Sequence, residues 1–178
     1  DTKILAENSV GVAHNPISNM ILASGVCPVP ELRSLGINVG IGIDGAGSND
    51  SQDMLQSIKI TPLLQRVKKM QATALSARDA FIMATIEGAK VLGVESFLGS
   101  IELRKRADFV ILDGDSPALA NIHDPFQAVV YCAGKTEVKE VWVEGENIFK
   151  DGVITNVSKD EVVKNSKIQA VKLVEAAG

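Results

Sequence analysis

At 178 residues, 46% of them hydrophobic, the chain can bury the core of one domain or one and a half. A net charge of −4 with mixed signs, and no basic patch interleaved with aromatics, argue against a nucleic-acid footprint, so the expected partner is a small molecule. No apolar run approaches the roughly 20 residues of a membrane span, the first residues carry no signal-peptide pattern, and Cys27 and Cys132 form no C-x-x-C pair, which together argue for no membrane partner and for the reducing cytoplasm.

Thr2 to Asn8 reads as the end of a helix leading into a first strand, Val10-Gly-Val-Ala13, which stops on His14-Asn-Pro. Pro28 to Leu35 carries apolar Val29, Leu32 and Leu35 at helical spacing and closes at Gly36 as a helix should. A second strand follows, with Val39, Ile41 and Ile43 alternating before a carboxylate, Asp44. The 30 residues from His14 to Asp44 fit one strand, helix and next parallel strand, so two successive strands present polar residues at one rim. In a (β/α) barrel that rim is where active sites are built.

Two plainer readings compete. Gly40-Ile-Gly-Ile-Asp-Gly45 matches G-x-G-x-x-G, the loop that cradles a pyrophosphate, yet Ile41 and Ile43 continue the strand and the next helix waits for Asp53 as N-cap. An acid at a strand end is also often a turn residue or cap.

Asp53 to about Ala72 is expected to be helical, with Pro62 kinking or dividing it. Ser76-Ala-Arg-Asp79 starts a further helix running to Gly93. The texture then changes to short strands, Phe109 to Leu112, Val138 to Val143 and Asn147 to Phe149, punctuated by glycines in the rhythm of a small antiparallel unit. Ser158-Lys-Asp-Glu161 caps a last helix, Val162 to Ala177, whose amphipathic pattern predicts packing on the surface.

His14-Asn-Pro-Ile-Ser-Asn19, Leu22-Ala-Ser-Gly25, Pro28-Val-Pro-Glu-Leu32, Gly42-Ile-Asp-Gly45 and Ser48-Asn49, in that order, resemble the metal-dependent amidohydrolase superfamily. Ala89-Lys-Val-Leu-Gly93, Lys105-Arg-Ala-Asp108, His123-Asp-Pro125 and Val141-Trp-Val-Glu-Gly145 continue the resemblance over nearly the whole chain. The branch it is most similar to holds the methylthioadenosine/adenosylhomocysteine, 8-oxoguanine and guanine deaminases and the triazine hydrolases.

The resemblance implies an α/β fold: the last two β/α units of a (β/α)8 TIM-like barrel over residues 1–98, a small antiparallel β domain over 99–157 and a C-terminal helix over 158–178. It implies hydrolysis of an exocyclic C–N bond in an aminopurine or related N-heterocycle, with a divalent metal, zinc or alternatively iron. Asp44 matches the metal ligand that moves protons to and from the attacking water, and His14 matches a pocket-lining histidine. Independently, a carboxylate beside a cation can bind it, accept a proton from water and return it to a leaving nitrogen. Ser48 and Asn49, just beyond, either line the substrate pocket or cap the turn.

Departures are informative. The usual Gly-Thr-Asp reads Gly42-Ile43-Asp44, a helix that commonly bears Glu and Arg carries Ser57 and Lys59, and a Pro-Gly-Lys turn reads Leu103-Arg104-Lys105. The family's His-x-His, its further histidines and its catalytic Glu have no counterpart, and His14 and His123 are the only histidines, His123 sitting in a turn. Asp44 is then one ligand where a catalytic zinc takes three from protein. The expectation is a C-terminal portion completed by an upstream segment or within a homo-oligomer, or else a non-catalytic domain that needs a partner to close its barrel.

Overall fold

The computed structural model describes residues 2–177, and its central feature is a parallel pair, β1 (Val12–His14) and β2 (Val39–Ile41). Val12 lies opposite Val39, Ala13 opposite Gly40 and His14 opposite Ile41. Both strands are shorter than the alternation predicts: Val10 is exposed before β1, and Ile43 lies beyond the β2 ladder. The pairing nevertheless reaches Gly42, whose N–H donates to the His14 carbonyl at 2.9 Å. That bond removes the pyrophosphate-loop reading, because Gly40 and Gly42 serve the strand and do not turn their amides together toward a phosphate.

Helices surround this pair. α1 (Thr2–Glu7) precedes β1, α2 (Pro16–Ile21) follows it, and α3 (Val29–Ser34) returns to β2, ending at Gly36, whose φ of +76° suits a residue without Cβ. Val29, Leu32, Ile37, Val39, Leu75 and Met83 close into the main apolar cluster. α4 (Met54–Lys69) starts on Asp53, whose carboxylate accepts from the Gln56 N–H at 3.2 Å. Pro62 does not divide it. The turn around Pro62 is buried with Ser57, Ile58 and Thr61, and packing holds the helix through the bond that proline cannot make.

Ser76 and Asp79 form the expected reciprocal cap at the start of α5 (Ala77–Ala84). The single helix expected up to Gly93 is instead two, α5 and α6 (Ile86–Leu92), broken at Thr85 with φ −123° and ψ −102°. The break turns α6 so that its backbone comes down on β2: a Cβ on Gly40 would stand 2.9 Å from the Gly88 Cα.

The second sheet is antiparallel, in the order β3 (Phe109–Leu112), β4 (Val138–Val143), β5 (Glu146–Lys150) and β6 (Val153–Ile154). Glu144 and Gly145, both at positive φ, close β4 to β5 as a two-residue turn that matches strand twist, and Asp151 and Gly152 do the same for β5 to β6. Trp142 stacks on Phe109 with ring centroids 5.7 Å apart. Between β3 and β4, α7 (Pro125–Gln127) runs into a π-helical turn, Ala128–Cys132, that brings Val130 against α4 and α5.

α8 (Lys159–Ala177) is capped by Ser158 as expected, but it does not pack as expected. Its apolar side chains, among them Val162, Ile168, Val171 and Leu173, are exposed, because no other described element lies against them. Among the described residues no helix is long and apolar enough to cross a membrane.

Candidate active site

β1 delivers His14 to its C-terminal tip, and Asn15-Pro16 turn the chain at once into α2, with proline at the first helical position, where its missing N–H costs nothing. His14 is 1% exposed, and among the described residues neither Nδ1 nor Nε2 has a hydrogen-bond partner. Burial pushes its pKa down to about 4, so the imidazole is neutral at pH 7. A buried ring with one donor and one acceptor unspent is an energetically expensive arrangement.

β2 leads to Asp44 through Gly42, which abuts the first turn so closely that a Cβ would fall 2.2 Å from the Asn15 Oδ1. Asp44 lies past the ladder in the left-handed region, φ +61°, a conformation that aspartate tolerates better than most residues. Its carboxylate is exposed and held on both oxygens. Oδ2 accepts from the Ser18 hydroxyl at 2.6 Å and from the Ser48 hydroxyl at 2.9 Å, and Oδ1 accepts from the Gly45 N–H at 2.8 Å. The Ser18 bond, then the Gly45 amide and the Ser48 bond, hold this carboxyl below the ordinary aspartate range. It is therefore an anion at neutral pH.

The following loop is self-supporting. The Asn49 side chain is 1% exposed and donates to the Ile43 carbonyl at 2.8 Å, while its own Oδ1 accepts from Ser51 at 3.1 Å. Gln52 donates to the carbonyls of Asn49 at 2.8 Å and Asp44 at 3.3 Å.

Of the four residues expected at the site, Asp44 and Ser48 are in direct contact and His14 ends the neighbouring strand. Asn49 is turned inward to the loop backbone. Sequence reasoning missed Ser18 as a partner of Asp44. The only local signal was its place two residues after Pro16, on the first turn of the helix that His14 introduces. His123 is exposed, and the adjacent Asp124 caps α7 by accepting from the Phe126 N–H at 2.9 Å.

Asp44 fits a hard or borderline cation as one ligand: it is ionised, exposed, and keeps a lone pair on Oδ1. It does not make a site by itself. Among the described residues no group of three His, Cys, Asp or Glu side chains is arranged to hold a metal ion.

The sequence model of the amidohydrolase family matches residues 1–148. The chain is 42% identical over 176 residues to a 5′-deoxyadenosine deaminase of Methanopyrus kandleri, covering 99% of this chain and 41% of that protein. It is 40% identical to a 5-methylthioadenosine/S-adenosylhomocysteine deaminase of Desulforudis audaxviator, with the same coverage of 99% and 41%. Among solved structures, a zinc-bound adenosine deaminase from Xanthomonas campestris superposes with a TM-score of 0.94 at 32% identity, covering 98% of this chain and 40% of that one. The chain thus spans about two-fifths of the length of the curated relatives it matches.

Proposed function

We propose, since the chain belongs to the amidohydrolase family, that it forms part of a deaminase hydrolysing the exocyclic C–N bond of an aminopurine, with adenine nucleosides such as 5′-deoxyadenosine as the substrate class. The observation that carries this reading is Asp44 itself, an ionised carboxylate at a strand tip, gripped by Ser18 and Ser48 beside a buried, unpartnered His14. On this reading residues 1–98 are the last two β/α units of a (β/α)8 barrel, 99–157 the small β domain and 158–178 a terminal helix. The other strands come from an upstream segment or a partner chain, and the two unpaired cysteines suit the cytoplasm.

Asp44 would contribute one ligand to a divalent metal, zinc or alternatively iron, whose other ligands lie outside this chain. When bound, such a cation makes water nucleophilic near neutral pH. The part of this chain is then acid–base work. Asp44 takes a proton from the attacking water and hands it to the departing nitrogen, so that ammonia leaves neutral. His14, neutral by burial, can donate or accept one hydrogen bond and suits a purine ring nitrogen better than a charged group would. Ser48 reaches the same rim as a substrate contact, and Asn49 acts there through the loop it braces.

The deciding experiment offers the complete, metal-loaded protein a panel of adenosine, 5′-deoxyadenosine, 5′-methylthioadenosine and guanine, and measures ammonia. Release from the adenine nucleosides that a chelator stops is expected. No release from any of them would leave the second reading, a non-catalytic domain that needs a partner or upstream segment to complete its barrel.

A further inference from the structure

The hydrogen bonds around Asp44 are unequal on its two oxygens. Oδ2 accepts from two hydroxyls, at 2.6 and 2.9 Å, whereas Oδ1 accepts from one amide at 2.8 Å. A carboxylate oxygen has two lone pairs, so Oδ2 is saturated and Oδ1 keeps one free.

The two hydroxyls also differ in fixity. Ser48 belongs to the loop that follows Asp44 and would move with it. Ser18 is 3% exposed on the first turn of α2 and reaches Asp44 across 26 residues, from the preceding β/α unit. Asp44 needs such an anchor, since its backbone has left the β2 ladder for the left-handed region and its carboxylate projects into the open.

We infer that Ser18 is a positioning residue for the reaction: its buried hydroxyl occupies Oδ2 and fixes the Asp44 side chain, so that Oδ1 is the oxygen presented to the reacting groups. Ser18 touches no reacting atom itself and acts through Asp44, a role that rests on the reading of Asp44 given above. A misplacement of about 1 Å in a proton-transferring group costs on the order of 100-fold in rate.

The test uses the complete zinc-loaded enzyme with 5′-deoxyadenosine. Ser18→Ala should lower kcat about 10- to 100-fold, with KM within about twofold and zinc content equal to wild type. A crystal structure of that variant should show the Asp44 carboxylate rotated off its wild-type orientation. Ser18→Thr and Ser18→Val, equal in size and differing in the hydroxyl, separate hydrogen bonding from packing, and Thr should exceed Val in kcat by about 10-fold or more. A Ser18→Ala enzyme within twofold of wild type in kcat, one altered in KM alone, or one with the carboxylate unmoved would overturn the assignment while Asp44→Asn remains inactive. Wild-type turnover in Asp44→Asn would instead overturn the reading of Asp44 on which it stands.

Discussion

Gly40 of β2 faces Gly88 of α6 backbone to backbone, so closely that a Cβ on Gly40 would lie 2.9 Å from the Gly88 Cα. The contact seats α6 on the strand whose extension carries Asp44. Gly40→Ala should therefore destabilise the protein by about 1–3 kcal/mol, since no flexible side chain can give way. Gly42→Ala meets a side-chain oxygen instead, Asn15 Oδ1, and its cost should shrink when Asn15→Ala is added. Denaturant melts of the four variants in the complete protein check both statements; additive losses at positions 42 and 15 would contradict the second.

Asp44→Asn keeps the shape of the side chain and removes its charge and its capacity to hold a proton. Turnover in the complete enzyme should drop by at least about 100-fold and zinc retention should weaken, while the fold is kept. Metal analysis alongside steady-state rates is the measurement, and an active, metal-replete Asn variant would refute the ligand role.

His14 sets a pH dependence. Its ordinary pKa of 6.5 applies to the unfolded chain and about 4 to the folded one, so the unfolded state binds the proton first as pH falls. The stability His14 contributes is complete above about pH 6.5 and is lost progressively down to about pH 4, up to about 3 kcal/mol. Unfolding free energies of the complete protein between pH 7.5 and 4.5 should fall more steeply for wild type than for His14→Gln. Parallel curves would show that His14 is hydrated or paired.

The 178 residues alone should be neither a catalyst nor a stable monomer. β1 and β2 pair only with each other among the described residues, which leaves their outer backbone edges open. Ile4, Leu22 and Leu92 stand more than half exposed nearby. Sedimentation of the bare chain should show self-association, and dialysed samples should hold no stoichiometric zinc and release no ammonia from purines. A compact, cooperatively melting monomer would contradict the fragment reading.

Features written in a few neighbouring residues were legible in the sequence. The strands ending at His14 and near Asp44, the Asp53 and Ser76 caps, the Gly36 and Gly93 helix ends and the antiparallel sheet follow from alternation, capping and turn chemistry, which act over a few residues. Tertiary structure alone decided the rest. The 26-residue reach from Ser18 to Asp44, the break at Thr85 and the Gly40–Gly88 contact it allows, the survival of α4 through buried Pro62 and the inward turn of Asn49 depend on packing between distant segments. α8 marks the same boundary from the other side: its amphipathic pattern predicts a partner surface, but whether one lies against it is set by other parts of a fold and not by the helix itself.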